Sequence, residues 1–178
     1  FIYVGRLSEE KGIDTLIEAF SREEVRNIKL KIYGSGPMEN KIKDILNTKG
    51  LLNIELLGFR PREEVVKAMS SAIALVFPSI CLESFPMTII ESFSAGTPVI
   101  ASDFGNMKSL VEEGNTGLLF EKGNPKDLAE KILFLYHNRE LAYEMGKNAR
   151  EEYLQKYTPE VNYNLLMQIY EEAINTNT

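Results

Sequence analysis

Short, continuously apolar runs alternate along the chain with stretches in which apolar residues recur every three or four positions. The runs at about 1–4, 29–34, 53–58, 73–77, 98–101 and 117–120 predict strands buried on both faces. The stretches between them predict helices. Ile13, Leu16, Ile17 and Phe20 fall at i, i+3, i+4 and i+7, and Met38, Ile42, Ile45 and Leu46 make a second stripe. Shorter helices are predicted over about 62–71, 87–95 and 107–113. Asn124-Pro125 reads as a cap and first-turn proline for a helix ending near His137. From about Arg139 the pattern stays helical, broken at Thr158-Pro159, where the residue before proline is steered out of the helical region. A last helix, about 160–174, carries Val161, Leu165, Ile169 and Tyr170 on one stripe that must pack on something.

This alternation predicts an α/β protein, a Rossmann-like doubly wound sheet of about six parallel strands with helices on both faces. Ligands of such sheets bind beyond the carboxyl ends of the strands. The loops at 5–12, 34–37, 58–61, 78–87 and 102–106 are therefore the places to search for chemistry.

Composition narrows the search. A length of 178 residues suits one domain, and 44% hydrophobic with 26% charged residues excludes disorder or coiled coil as the main state. No run reaches the ~18 apolar residues of a membrane span. The net charge of -6 disfavours nucleic acid as a partner but allows a local site for a small anion. With one cysteine, Cys81, no internal disulfide, thiolate zinc cluster or Cys-x-x-Cys pair can form, which fits a cytoplasmic protein. With one histidine, His137, no two-His metal site exists, and its neighbourhood reads as a helix end. The opening Phe1-Ile-Tyr-Val is at once a buried strand, so a piece of a longer protein is expected.

Four loops carry candidate chemistry. Gly5 to Gly12 sets Arg6 and Lys11 between two glycines at a strand end and helix start, which suits a diphosphate; the alternative is that the cations pair with Glu9 and Glu10. Gly34-Ser35-Gly36 begins like a dinucleotide fingerprint, but Glu39 stands where the third glycine belongs, so nicotinamide binding is disfavoured. In Glu83 to Glu91, Glu83 lies in a loop and Glu91 lies within an apolar helical run beside Ile89, Ile90 and Phe93. Glu91 should thus be buried and need a partner, unless it is an ordinary salt-bridged helix residue. Two such carboxylates can accept from sugar hydroxyls, and amides near Met87 and Thr88 favour an anion. A two-carboxylate glycosidase is the competing idea, but it would have no use for the Arg6/Lys11 loop. Gly105-Asn106, after Ser102-Asp103, can adopt positive φ in a turn. No Gly-x-Ser-x-Gly elbow, phosphate-binding Gly-Lys-Ser/Thr loop or Asp-x-Asp pair occurs.

Taken together, Gly5-Arg6-Leu7 with Lys11-Gly12, Gly34-Ser35-Gly36-Pro37, Glu83 and Glu91 seven residues apart, Ala95-Gly-Thr-Pro-Val-Ile-Ala101 and Gly114-Asn-Thr-Gly-Leu-Leu119 resemble the carboxy-terminal half of group 1 glycosyltransferases. These are retaining glycosyltransferases of family 4, with the GT-B fold. The resemblance implies that residues 1–157 form a nucleotide-sugar (donor) binding domain, and that 158–178 form a helix returning toward a missing acceptor domain. It implies catalytic roles for Arg6 and Lys11 on the donor diphosphate and for Glu83 on the donor sugar. Glu91 would hold the ribose hydroxyls, and Met87 and Thr88 would offer amides. Gly5 and Phe85 would line the donor site, and Phe59 and Arg60 would flank the base. Pro86 and Asn106 stand where the family often has glycine, which alters details of sugar contact. No cofactor and no metal are implied. The donor would be a UDP or GDP hexose and the acceptor a saccharide or lipid-linked molecule, with a glucan or sucrose synthase type enzyme or a non-catalytic nucleotide-sugar module as alternatives. The isolated domain is expected to bind but not to transfer. The full-length protein is expected in the cytoplasm, with a peripheral place at the inner face of the membrane open to it.

Overall fold

The computed structural model describes residues 1–176. Six strands, β1 (Ile2–Val4), β2 (Leu30–Tyr33), β3 (Ile54–Gly58), β4 (Leu75–Phe77), β5 (Val99–Ser102) and β6 (Gly117–Phe120), form one sheet in the order β3-β2-β1-β4-β5-β6, and every pairing is parallel. The helices are α1 (Ile13–Ser21), α2 (Glu39–Lys49), α3 (Arg62–Ser70), α4 (Met87–Ser94), α5 (Asn106–Leu110), α6 (Pro125–His137), α7 (Arg139–Lys156) and α8 (Pro159–Thr176). The last two positions of the 158–178 segment lie outside the described residues.

Strand alternation divides the core into two layers. Tyr3, Leu30, Ile32, Val76, Ile100 and Leu118 point to one face, where Ile13, Leu16 and Phe20 of α1, Ile42 of α2 and Leu128 and Ile132 of α6 cover them. Ile2, Leu75, Phe77, Val99 and Ala101 point to the other, under Met69 of α3, Ile89 and Phe93 of α4, Met107 of α5 and Ala149 of α7. Each fully buried Leu, Ile or Phe contributes roughly 1.5–3 kcal/mol, and both faces of every inner strand need it, which is why the strands read as unbroken apolar runs.

The periodic stripes became the helices expected of them, within one or two residues at most ends. The 107–113 segment is the exception: α5 closes at Leu110, and Val111 is already extended. Asn124 caps α6 by accepting from the amides of Lys126 and Asp127, with Pro125 in the first turn. Two short 3-10 turns, Glu9–Lys11 and Glu23–Val25, carry too few residues for a periodic signal. His137 ends α6 as an exposed residue with its ring against Tyr136. On α8, Leu165, Ile169 and Tyr170 are exposed.

The strand order reverses between β1 and β4. That switch point opens a crevice at their carboxyl ends, bounded by the loop after β1 and the loop after β4.

Candidate functional site

Two adjoining cavities occupy this crevice. One, of about 240 Å³, is walled by the β1–α1 loop (Gly5, Arg6, Lys11) and by the β4–α4 loop with the start of α4 (Ser79, Glu83, Phe85, Met87, Thr88). The other, of about 280 Å³, lies over β2 and β3, between Tyr33, Gly34 and Ser35 on one side and Phe59, Arg60 and Val65 on the other. Val4, Gly5 and Arg6 belong to both walls. A larger cleft of about 600 Å³ lies at the amino ends of β4 and β5, beside the carbonyl ends of α3 and α4. Carbonyl ends repel anions, and Arg150 there already donates to the Ser94 carbonyl at 2.5 Å.

The β1–α1 loop is shaped by backbone contacts. Tyr3 donates its hydroxyl to the Arg6 carbonyl at 2.8 Å, and Leu7 and Met38 tie the loop to the Gly34–Pro37 turn through main-chain bonds. Gly34, at φ 134, lies so close to this loop that a Cβ would sit 1.9 Å from the Gly5 carbonyl oxygen. The Gly-Ser-Gly turn is thus a close backbone approach. Gly12, at φ 68, similarly abuts Pro78, bringing the loops after β1 and β4 into contact.

Across that contact Lys11 Nζ donates to Glu83 Oε1 at 2.6 Å. The same oxygen accepts from Ser79 Oγ at 2.7 Å and from Cys81 Sγ at 3.6 Å. Burial alone would raise the Glu83 pKa, but the hydrogen bonds from Lys11 and Ser79 and the Lys11 charge outweigh it and hold the carboxyl below its ordinary value. All three donors converge on Oε1. Among the described residues Oε2 has no donor, so it is the oxygen left to accept from a ligand. Tyr3, buried beneath and near the negative charges of Glu83 and Glu10, has its pKa pushed up and stays a neutral donor.

Arg6 is exposed at the junction of the two cavities, and among the described residues no carboxylate lies within salt-bridge distance of it. Glu10 accepts instead from Ser8 at 2.6 Å. At the far wall α4 begins at Met87 after Pro86 with no side-chain cap, leaving the first amides, of Met87 and Thr88, free to bind an acceptor. Phe85 is half exposed and leans on Tyr157 at the end of α7, 6.3 Å between ring centres.

The structure therefore brings Gly5, Arg6, Lys11, Glu83, Phe85, Met87 and Thr88 to one cavity, and Phe59 and Arg60 to its neighbour. Glu91 is not brought into either wall. It is not buried as its apolar neighbours suggested: its side chain is 27% exposed on α4 and pairs with Arg62 Nε at 3.2 Å. Asn106 keeps negative φ, and only Gly105 takes the positive value expected of that turn. Sequence reasoning passed over Tyr3 and Ser79, whose roles depend on contacts that no local pattern encodes.

A family model described as glycosyl transferases group 1 matches residues 1–152. The chain belongs to this family. It is 36% identical over 171 residues to an uncharacterized glycosyltransferase of Methanocaldococcus jannaschii, an alignment covering 96% of this chain and 47% of that protein. Sucrose-phosphate synthase from Thermosynechococcus elongatus superposes with a TM-score of 0.85 at 28% identity, over 98% of this chain and 46% of the synthase. A variant of S. aureus TarM, solved with UDP, fondaparinux and an α-GlcNAc-glycerol, superposes with a TM-score of 0.80 at 31% identity, over 98% of this chain and 34% of that one. The chain spans less than half the length of these proteins. As a group 1 glycosyltransferase chain, it has the Rossmann-like fold found in GT-B enzymes.

Proposed function

We propose that this chain is the donor-binding half of a retaining, metal-independent glycosyltransferase that moves a hexose from a nucleoside-diphosphate sugar to a saccharide or lipid-linked acceptor. The observation that carries the reading is the Lys11–Glu83 pair across the switch-point crevice, with Arg6 and the uncapped start of α4 beside it. These supply cationic and amide donors for a diphosphate and one carboxylate oxygen for sugar hydroxyls in a single cavity. The adjoining cavity beside Phe59 and Arg60 suits the nucleobase.

In this reading the bond between the anomeric carbon and the diphosphate oxygen breaks, and its electron pair stays on the diphosphate. Arg6, Lys11 and the amides of Met87 and Thr88 meet the charge that grows there, a preorganised role that mobile water cannot match. The acceptor oxygen then bonds to the same carbon on the same face and gives its proton to the departing diphosphate oxygen. Glu83 Oε2 fixes the sugar, and Glu91, released from Arg62, accepts from the ribose. With chain cations at the leaving group, no metal is needed.

The solved complex of TarM with UDP supports a UDP donor. The likeness to sucrose-phosphate synthase supports the sucrose-synthase type as a second reading, with the same donor chemistry and a different acceptor. The acceptor would be held by a second domain, and residues 158–178 would reach back to it from the donor domain at 1–157. The exposed Leu165, Ile169 and Tyr170 of α8 support that reach. We place the protein in the cytoplasm, where the full-length enzyme would meet lipid-linked acceptors at the inner face of the membrane. Among the described residues no helix is long and apolar enough to cross it.

Calorimetric titration of the 178-residue chain with UDP, GDP, ADP and NAD, each in chelator, tests the reading. One nucleoside diphosphate should bind without metal. Binding by NAD alone overturns the donor assignment, and turnover by the chain with a simple acceptor overturns its dependence on a second domain.

A further inference from the structure

The loop that carries Glu83 has little main-chain support of its own. Ile80 donates its amide to the Glu10 carbonyl before the loop, and Ile89 donates to the Pro86 carbonyl where α4 begins. Between these points, among the described residues, no backbone–backbone hydrogen bond holds 81–85. What holds the main chain is a side chain from the first residue of α5. Asn106 Nδ2 donates to the Glu83 carbonyl at 2.8 Å and to the Ser84 carbonyl at 2.9 Å. Both protons of one amide group are spent on two consecutive carbonyls. Because both neighbours are acceptors, the NH₂ end must face them, and the orientation of this amide is fixed by the network. Gly105 permits the approach. Its φ of 56 turns the chain into α5, and a Cβ there would stand 3.1 Å from a methyl of Leu82.

We infer that Asn106 is a positioning residue for Glu83: it clamps the main chain of the β4–α4 loop so that the carboxylate stands over the donor cavity. The inference rests on the donor reading above and names a residue that touches no donor itself. Glu83 is held from two sides. Lys11 and Ser79 fix Oε1, and Asn106 fixes the backbone from which the side chain springs, leaving Oε2 without a donor among the described residues. Alanine or glycine at 106 removes the clamp. Aspartate reverses it, placing acceptor against acceptor, whereas glutamine keeps the donor on a longer arm.

The test uses the 178-residue chain, with UDP, UDP-glucose, UDP-N-acetylglucosamine, GDP and GDP-mannose as probes. Backbone order parameters measured by NMR across 81–85 should fall in Asn106→Ala while those of β1 and β4 stay as in the wild type. In titrations, Asn106→Ala should keep diphosphate affinity within about twofold and lose about fivefold or more of the added affinity that the sugar brings, as expected for two lost hydrogen bonds. Asn106→Asp should lose at least as much, and Asn106→Gln should recover part. In the Glu83→Ala background, Asn106→Ala should cost the sugar increment nothing further, because the contact it positions is already gone.

Unchanged order parameters across 81–85, an unchanged sugar increment, or a full additional loss in the Glu83→Ala background each overturns the inference. So does an equal loss for diphosphate and sugar nucleotide, which would mark a general structural role. A wild-type chain that gains nothing from the sugar overturns the inference alone, and one that binds no nucleoside diphosphate overturns the donor reading as well.

Discussion

Lys11 Nζ and Glu83 Oε1 stand 2.6 Å apart although 72 positions separate them in the chain. The pair is only partly exposed, 27% for the lysine and 14% for the glutamate, so it is screened less than the surface pairs of this protein. It joins the two loops on either side of the switch point.

Lys11→Ala should therefore act on both stability and ligand. Truncation leaves Glu83 with Ser79 and Cys81 as its remaining partners, at a cost of about 1–2 kcal/mol for a half-paired, largely covered carboxylate. Urea unfolding measures it. Diphosphate affinity should fall about tenfold or more, the scale of one lost charge-assisted contact, while the matching nucleoside is hardly affected. Equal loss for both would remove Lys11 from the diphosphate.

The depressed pKa of Glu83 sets a pH dependence. A carboxyl held lower in the folded state than in the unfolded chain stabilises the fold while ionised in both. That contribution is complete above the ordinary value of 4.5 and is lost as pH falls below it and through the lower folded value. Glu83→Gln should thus be less stable than the wild type at neutral pH, and the gap should narrow below pH 4.5. A gap constant from neutral pH to pH 3 would mean that Glu83 is not held below its ordinary value.

The fold was legible because its forces are local and periodic. Ile13, Leu16, Ile17 and Phe20 need one buried stripe, and the sequence Val99-Ile-Ala needs burial on both faces. The site was legible in part. Arg6, Lys11 and Glu83 were marked by their places at strand ends, and the sheet brings those ends together. The direct bond between Lys11 and Glu83 was not readable, because Glu9 and Glu10 are nearer in sequence and only the Gly12–Pro78 contact selects the distant partner. The burial expected of Glu91 failed for a similar reason: its apolar neighbours pack on β4 and β5, but its own side of α4 faces Arg62 at the start of α3.

The Arg62–Glu91 pair yields a third prediction. Arg62 is 78% exposed, so Arg62→Ala should change stability by less than about 1 kcal/mol, as exposed ion pairs do. If Glu91 accepts from ribose hydroxyls, the wild-type chain should prefer UDP to its 2′-deoxy analogue, or GDP to the corresponding deoxy analogue if that is the diphosphate it binds. Glu91→Gln should weaken that preference. A preference that survives Glu91→Gln intact would place the ribose elsewhere.

Gly12 tests the contact that brings the two loops together. Its φ of 68 is left-handed, and a Cβ there would fall 1.8 Å from the Pro78 carbonyl oxygen, a backbone atom that no side-chain rotation can move aside. Gly12→Ala therefore combines left-handed strain of about 1 kcal/mol with a forced shift of the β1–α1 loop away from the β4–α4 loop. Gly50 separates the two effects, since it has φ 60 at the end of α2 with nothing within 4 Å of a Cβ. Gly50→Ala should cost about 1 kcal/mol and leave diphosphate binding as in the wild type. Gly12→Ala should cost clearly more in urea unfolding, and in the folded fraction it should lose diphosphate affinity along with the Lys11–Glu83 bond. If the two alanine variants prove equally stable and bind equally well, the Gly12–Pro78 contact does not set the distance between Lys11 and Glu83.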